Sequence, residues 1–274
     1  QIADLAKIGG NTGGLVFASG TLQMAGAFDF STRTVTFLQG GATVDTQANN
    51  VTLANAIGGG GAGGFVKQGA GTLTMSGANT FTGATTINAG RLQLDGGDNR
   101  LATAAGVTLT STATLQLGGT TAANQTVSEL VGAAGNSIVG GNAAVSTLTV
   151  NQGTSTSYLG YIGGAGTNEN NIALIKQGIG TLTLGAVAST FTGGLTIQSG
   201  TVVAGNNDNT FGANGNVITL GHSSGSADAT LYVSPANSRT FAQSITVAAG
   251  STGALTIVDD YGATGVATFN GGVT

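Results

Sequence analysis

The sequence is unusual first for what it lacks. Its 274 residues include no cysteine, no tryptophan and one proline, and only 7% of them are charged. The absence of cysteine excludes disulfides and thiolate metal sites. No run of 18 apolar residues occurs, and Gln1 to Asp4 show no basic segment followed by an apolar one, so neither a membrane-spanning helix nor a signal peptide is predicted. We expect a mature or internal fragment, or a chain that was never targeted.

The charge and composition narrow the fold class. The net charge is −4, and the seven Lys and Arg residues are scattered rather than clustered, so no nucleic-acid partner is predicted. A chain that is 40% hydrophobic with little charge is expected to fold. Its 50 glycines and many Thr, Asn and Val residues disfavour helix, whereas Thr and Val suit a pleated sheet. The sequence therefore predicts an all-β protein.

A long internal repeat decides the architecture. Residues 64–83 recur in closely similar form at residues 173–184 and 189–193. A repeat of this length indicates one supersecondary unit that has been copied and stacked. It also lowers the expectation of catalysis, because an active site that occurs once does not require the surrounding residues to be duplicated.

Short segments of alternating polarity fill the chain and predict half-buried strands. Most of these segments end in glycine-containing pairs that favour sharp turns. Within residues 73–115 the segments recur about every 20 residues, which is typical of a solenoid, or parallel β-helix, in which each coil holds two or three strands. At Ala89 and Gly90 the alternation slips by one residue, and we interpret this as a corner. The segments lie at residues 72–75, 92–94, 107–109, 114–117, 147–150, 181–184 and 255–257.

The repeat can be followed through the whole chain. We predict a single β-helix over residues 1–274, made of a partial unit (1–63), a full unit (64–172) and a further unit (173–274). At about five coils per unit, this predicts a right-handed parallel β-helix of roughly twelve to thirteen coils and a rod on the order of 60 Å long. We also expect the chain to be a fragment of a longer one.

Residues 67–94 resemble the passenger-associated repeat of autotransporter proteins, in which a Lys, two Gly and a Thr-Leu pair precede Ser-Gly and an Asn-Thr-aromatic-Thr-Gly segment. The second copy matches from Lys176 to Leu184 and again from Thr190 to Gly200, but between these segments it is one residue longer. The resemblance implies a right-handed β-helix on the outside of a bacterium, tethered by an outer-membrane barrel outside this chain. In that family the repeat is mostly scaffold, and adhesins, aggregation factors and enzymes all use it.

The repeated residues have physical interpretations. Phe81 and Phe191 are expected to pack near corners. Lys67 and Lys176, each followed by Gln, are predicted to be solvated edge residues, with a repeated basic contact to a sugar or surface as the alternative. Asn79 and Asn88 are expected either to form side-chain ladders or to satisfy turn backbones. The predicted interior consists of Leu73, Met75, Ile87, Leu92, Leu94, Leu182, Leu184, Ile197 and Val202.

One motif resembles that of a serine hydrolase. Residues 221–225 fit the G-x-S-x-G pattern, whose serine stands at a strand-to-helix elbow. His222, the only histidine in the chain, lies inside the motif, so no separate imidazole is left to act as the base. We therefore interpret the segment as a loop.

Carboxylates supply the remaining candidates. Asp95, Asp98 and Arg100 share one glycine-rich loop, and Asp259 and Asp260 adjoin Tyr261. A lyase would need calcium-binding carboxylates with a base, and a glycosidase would need two facing carboxylates. Only Asp98 recurs in the second copy, as Asp208, so these groups are interpreted as solvated turn carboxylates. No catalytic, cofactor-binding or metal-binding residue is predicted, and no cofactor.

The sequence thus predicts an extracellular structural scaffold or adhesin on the bacterial cell surface, and not an enzyme. Such a rod would mediate attachment, cell-to-cell association or coat assembly, with host-surface, matrix or glycan ligands. Neither end of the sequence resembles a cap, so end-to-end self-association or continuation in a longer chain is expected. A carbohydrate-active β-helix enzyme is the alternative. An outer-membrane barrel is disfavoured, because the 14 Phe and Tyr residues are scattered rather than grouped into girdles.

Overall fold

A computed structural model describes residues 8, 12–185, 187–204, 207–208, 210–233, 238–259 and 266–274. Within these ranges the chain forms 27 short strands and a 3₁₀ turn at Phe30–Thr32. The strands are β1 (Leu15–Phe17), β2 (Thr21–Gln23), β3 (Val35–Phe37), β4 (Ala42–Asp45), β5 (Val51–Leu53), β6 (Phe65–Gln68), β7 (Thr72–Met75), β8 (Thr85–Ile87), β9 (Arg91–Leu94), β10 (Gly106–Leu109), β11 (Thr114–Leu117), β12 (Gln125–Val127), β13 (Glu129–Gly132), β14 (Ser137–Gly140), β15 (Ser146–Asn151), β16 (Thr156–Tyr158), β17 (Tyr161–Ile162), β18 (Ile172–Gln177), β19 (Thr181–Leu184), β20 (Leu195–Ile197), β21 (Gly200–Ala204), β22 (Val217–Leu220), β23 (Ala229–Val233), β24 (Arg239–Phe241), β25 (Ser244–Val247), β26 (Leu255–Asp259) and β27 (Ala267–Phe269).

The strands stack into three long sheets that run the length of a parallel β-solenoid. Sheet A holds eleven strands in the order β2-β4-β6-β8-β10-β13-β16-β19-β21-β23-β26. Sheet B, beside the N-terminal half, is β5-β7-β9-β11-β14-β17, and sheet C, beside the C-terminal half, is β12-β15-β18-β20-β22-β25. Neighbouring strands in each sheet are parallel, for example β7 with β9 and β20 with β22. The predicted all-β solenoid is confirmed.

The predicted number of coils was too high. Eleven strands in sheet A correspond to ten turns, which take the 234 residues from Thr21 to Leu255, about 23 per turn. The predicted 20-residue period holds inside the repeats, where β6 and β8 start 20 residues apart. The linking coils are longer, with 29 residues between the starts of β21 and β23. Ten steps of about 4.8 Å give a rod of about 48 Å rather than 60 Å.

Columns of apolar side chains fill the interior, because strict register places the same strand position of each coil on top of the last. All nine predicted interior residues are at most 3% exposed. Burying one such side chain contributes about 1.5–3 kcal/mol to the free energy of unfolding. Because each coil adds one side chain to a column, the columns form a continuous core. One column in sheet B runs through Val51, Leu73, Leu92, Leu115, Ile138 and Ile162.

Phenylalanines also stack inside the solenoid. Phe81 and Phe191 are fully buried, which confirms the packing interpretation. The Phe81 ring lies 5.3 Å from the Phe37 ring and 5.8 Å from the Phe65 ring, measured between centroids. These distances are typical of favourable aromatic pairs. The predicted corner aromatics therefore serve the core and are not free to receive a ligand.

The two repeat copies occupy different faces of the solenoid. In the first copy the lysine-bearing strand β6 belongs to sheet A and the following strand β7 to sheet B, whereas the corresponding β18 and β19 belong to sheets C and A. The change takes place in the linking region, where three successive coils carry strands on all three faces. The second copy thus repeats the local geometry of the first, turned by one face about the solenoid axis.

Candidate functional site

The repeated lysines lie inside the solenoid. Lys67 and Lys176 are both fully buried, which contradicts the prediction of solvated edge residues and leaves neither able to contact a surface ligand. The Lys67 Nζ donates to the carbonyl oxygens of Gln68 and Gly69, at 2.8 Å each, and of Ala89, at 3.2 Å. The Lys176 Nζ donates in the same way to Gln177, Gly178 and Ser199.

The strand register explains this burial. Lys67 stands in a core column between Val44 and Ile87, so its aliphatic stem packs among apolar side chains while its amine reaches the corner turn. Burial lowers the pKa of Lys67 to about 8, and the charge of Asp45 partly opposes that effect. Burial likewise lowers the pKa of Lys176 to about 8. The lysine is a structural part of the repeat, because its amine joins carbonyl groups of its own corner to a carbonyl group of the next coil.

Asn79 satisfies turn backbones, which is one of its two predicted roles. Its Oδ1 accepts the Ile57 amide at 3.0 Å, and its Nδ2 donates to the Arg100 carbonyl at 2.9 Å. Ser189 has a similar role in the second copy, where its hydroxyl accepts the Ile162 amide at 3.1 Å. Both side chains join one coil to the next and are buried. Asn88 accepts the Thr110 hydroxyl at 3.0 Å.

The serine-hydrolase-like motif forms a surface loop, as predicted. Residues 221–228 connect β22 to β23 without a helix, so the strand-to-helix elbow is missing from this segment. The His222 Nδ1 accepts the Ser224 amide at 3.1 Å and lies 3.3 Å from the Ser224 hydroxyl. The imidazole therefore orders its own turn.

The carboxylates near residue 95 hold the next coil in place. Asp95 is only 5% exposed, so the prediction of a solvated carboxylate is wrong for this residue. It accepts hydrogen bonds from the Thr120 amide at 3.0 Å, the Thr120 hydroxyl at 2.9 Å and the Thr121 amide at 3.3 Å. Burial alone would raise the pKa of Asp95, but these bonds and the Gly96 amide lower it overall.

The other predicted candidates do not form a catalytic set. Asp98 is exposed and accepts the Asn124 amide at 2.9 Å, while Arg100 donates to the Ser76 carbonyl at 3.1 Å. Asp259 accepts the Ala267 amide at 3.0 Å. Asp260 and Tyr261 lie outside the described residues. Where the structure describes the chain, no three His, Cys, Asp or Glu side chains lie close enough together to hold a metal ion.

Replacing Asp95 with Ala is expected to lower the free energy of unfolding by about 1–3 kcal/mol at pH 7, because it removes the charge-assisted hydrogen bonds by which the buried carboxylate holds Thr120 and Thr121. The folded-state pKa is lowered, so the carboxylate contributes its stability above the unfolded value of 3.8 and loses it as the pH falls further. Urea unfolding at pH 7 and pH 3 checks this, with the exposed Asp98→Ala as the control. An equal loss at both pH values would contradict the ionic role.

The basic side chains that the structure describes are all engaged within the protein. Six of the seven Lys and Arg residues fall in the described ranges, and each donates to the chain's own oxygens. Arg91, for example, pairs with Glu169 at 3.1 Å, and Arg239 with Asp208 at 3.4 Å. In the same ranges no helix is long and apolar enough to cross a membrane. The described surface offers no cluster of free cations to an anionic ligand.

Two adjoining depressions mark the corner between sheets C and A in the second copy, with volumes of about 490 and 390 Å³. They share Ser199, Ser226 and Ala227, and we call the combined feature the corner groove. Ile179, 86% exposed, lines one depression, and His222 lines the other. The remaining lining residues are Asn151, Gln177, Gly178, Gln198, Gly200, Thr201, Gly225, Asp228 and Thr230.

The prediction from sequence did not identify the corner groove, although two differences between the copies point to it. Ile179 stands where the first copy has Ala70, and eight residues connect β22 to β23 where four connect β10 to β11. A third depression, of about 540 Å³, lies elsewhere, beside Tyr161 and Glu169.

Comparison with known proteins matches both repeat copies to one family. The passenger-associated-transport-repeat family matches residues 65–94 and 174–204, the two copies found above. The "Adhesin BmaC autotransporter" of Brucella suis biovar 1 (strain 1330) is 33% identical over 227 residues, which are 78% of this chain and 6% of that protein. No solved structure gives a significant match. The paired repeats and this relative identify the chain as an autotransporter passenger domain built on passenger-associated repeats.

Proposed function

We propose that the chain is a non-enzymatic adhesin segment, a rigid rod held outside the bacterial cell that attaches it to host or other surfaces. The observation that carries this proposal is the similarity to an autotransporter adhesin over 78% of the chain. The proposed location is the cell surface, with an outer-membrane barrel outside this chain as the tether. End-to-end association and the unit boundaries at 63/64 and 172/173 remain predictions from the sequence.

The outward side chains support the proposal. Along sheet A one continuous row of register partners points away from the core and carries no charge, and a row on sheet C is also uncharged. Uncharged rows of this kind favour contact with a partner surface over binding of ionic substrates. The sheet A row contains Thr43, Val66, Thr86, Thr108, Val131, Ser157, Thr183, Val203, Tyr232 and Val258, and the sheet C row contains Thr126, Thr149, Ile175, Thr196, Thr219 and Thr246.

The carboxylates give no support to the alternative enzyme. Asp95 uses both oxygens to bind Thr120 and Thr121, and the Asp98 carboxylate binds Asn124. A glycosidase needs two carboxyl groups facing one substrate across a cleft. Here the two groups instead join one coil to the next.

Beads coated with the folded chain are expected to attach to cultured epithelial cells or extracellular matrix several-fold more than beads coated with an unrelated β-solenoid of similar charge. Bound beads are counted after shear washing, and the supernatant is assayed for newly released reducing sugar. Attachment equal to the control would contradict the adhesin proposal. Sugar release that Asp95→Asn abolishes would instead favour the enzyme.

A further inference from the structure

We propose that the corner groove is a binding site for a neutral glycan, and so the contact through which the chain attaches. This inference rests on the adhesin function proposed above and gives it a ligand class and a place. The groove lies in the second copy. Its lining includes Ile179 and part of the loop of residues 221–228, two features in which the second copy differs from the first.

The underlying scaffold is the same in both copies, so the differences between them stand out. In each copy the lysine-bearing strand pairs in equivalent register with the next coil, Lys67 with Ile87 and Lys176 with Ile197. The buried lysines bind equivalent carbonyl groups at the two corners. The scaffold therefore does not require an 86% exposed isoleucine at position 179 or four extra residues in the loop.

The groove presents both donors and acceptors of hydrogen bonds. Because the His222 Nδ1 accepts the Ser224 amide, the neutral imidazole carries its proton on Nε2 as a donor. The Asp228 Oδ1 accepts the Ala254 amide at 2.7 Å, and its Oδ2 has no partner among the described residues. The Gln177 Nε2 donates to the Gln198 Oε1 at 2.6 Å, which leaves an acceptor on Gln177 and a donor on Gln198.

These groups suit sugar hydroxyls, each of which donates one hydrogen bond and accepts others. The exposed Ile179 side chain adds an apolar surface against which the C–H face of a pyranose ring can pack. Among the described residues that line either depression, Asp228 is the only charged one, and none is a Lys or Arg. The Lys176 amine beneath the groove is buried and bound to three backbone carbonyl groups, so the groove exposes no cation to pair with an anionic sugar such as a uronic or sialic acid. The two volumes lie within the range of ligand pockets, about 300–1,000 Å³.

An extended peptide fits this surface less well. Peptides commonly bind to β-structure by adding a strand to an open sheet edge. On one side of the corner, β20 pairs with β18 and β22. On the other side, β21 pairs with β19 and β23. The strands beside the groove therefore offer no free edge, and recognition depends on side chains.

The test is an array of neutral, acidic and amino-bearing oligosaccharides, with unrelated peptides included, probed with the folded chain. We expect binding to at least one neutral oligosaccharide. The double variant His222→Ala with Asp228→Asn is expected to weaken it at least tenfold, and Ile179→Ala severalfold. The matched control is Ala70→Ser with Asn88→Ala at the equivalent corner of the first copy, expected to bind as the parent does. Circular dichroism melts confirm that each variant is folded.

Binding confined to acidic sugars or peptides, no binding to any neutral oligosaccharide, or binding that the groove variants leave unchanged would overturn the inference. Coated beads separate this failure from a failure of the adhesin proposal. If beads carrying the groove variants still attach to cells as the parent does, the adhesin proposal stands and the glycan groove is wrong. If the parent beads do not attach, the adhesin proposal itself fails.

Discussion

Replacing Gly200 with Ala lowers the free energy of unfolding by about 3 kcal/mol or more, and Gly90→Ala has a similar effect. Both glycines adopt a left-handed backbone, with φ of +71° and +66°. A Cβ on Gly200 would lie 2.3 Å from the Gly178 carbonyl oxygen and 2.6 Å from that of Gly180. The left-handed conformation alone costs a residue with a side chain about 1–2 kcal/mol, and the backbone clash adds about 1–3 kcal/mol.

Gly60→Ala is the matched control for this experiment. Gly60 also has a left-handed backbone, with φ of +73°, but no atom lies within 4 Å of the position its Cβ would take. We expect it to cost only the backbone term, about 1 kcal/mol. Chemical denaturation of the three variants gives the comparison. Equal losses for Gly60 and Gly200 would show that the tight stacking of corners does not occur.

Between pH 7 and pH 10 the free energy of unfolding rises by about 2–3 kcal/mol for each buried lysine. Burial lowers the folded-state pKa of Lys67 and Lys176 from 10.5 to about 8. Over the interval from about 8 to 10.5 the unfolded chain therefore binds more protons than the folded one, and raising the pH favours folding. A lysine held by a surface ion pair would have the opposite effect, because its raised pKa would make the free energy of unfolding fall as the pH rises.

Above pH 10 the buried Tyr158 reverses the trend. Burial raises the pKa of its phenol well above 10, so the unfolded chain releases this proton first and stability falls. Urea unfolding from pH 6 to pH 11 measures both slopes. The double variant Lys67→Met with Lys176→Met is expected to remove the rise, and Tyr158→Phe only the later fall. A rise that persists in the lysine variant would mean that these amines are not the titrating groups.

Much of the fold could be predicted, because strict period-two alternation and an internal repeat are local signals. Leu73, Leu92 and Leu182 are buried as predicted, since each alternates with polar neighbours. The length of the linking coils could not be predicted. Their loops carry no periodic pattern, and the 20-residue spacing of the repeat does not extend to them.

The sites were harder to predict, because burial of a polar side chain depends on neighbours far along the chain. The charge of Lys67 predicts a solvated edge residue, yet its register between Val44 and Ile87 places it in the core. Asp95 is buried where it binds Thr120 and Thr121, which lie about 25 residues further along the chain in the next coil. The sequence does suggest where the copies differ, at Ile179 and the loop that contains His222. Only the structure places these two features beside one another.

The second repeat copy is turned by one face on a continuous parallel solenoid. Cysteine cross-linking tests it without background, because the chain has no cysteine of its own. Ser157 and Thr183 are register partners in sheet A, and neighbouring strands lie about 4.8 Å apart, within disulfide reach. We expect the variant Ser157→Cys with Thr183→Cys to oxidise readily and the variant Tyr161→Cys with Thr183→Cys not to. If Tyr161→Cys with Thr183→Cys cross-links instead, β19 stacks on β17, and the second copy is not turned relative to the first.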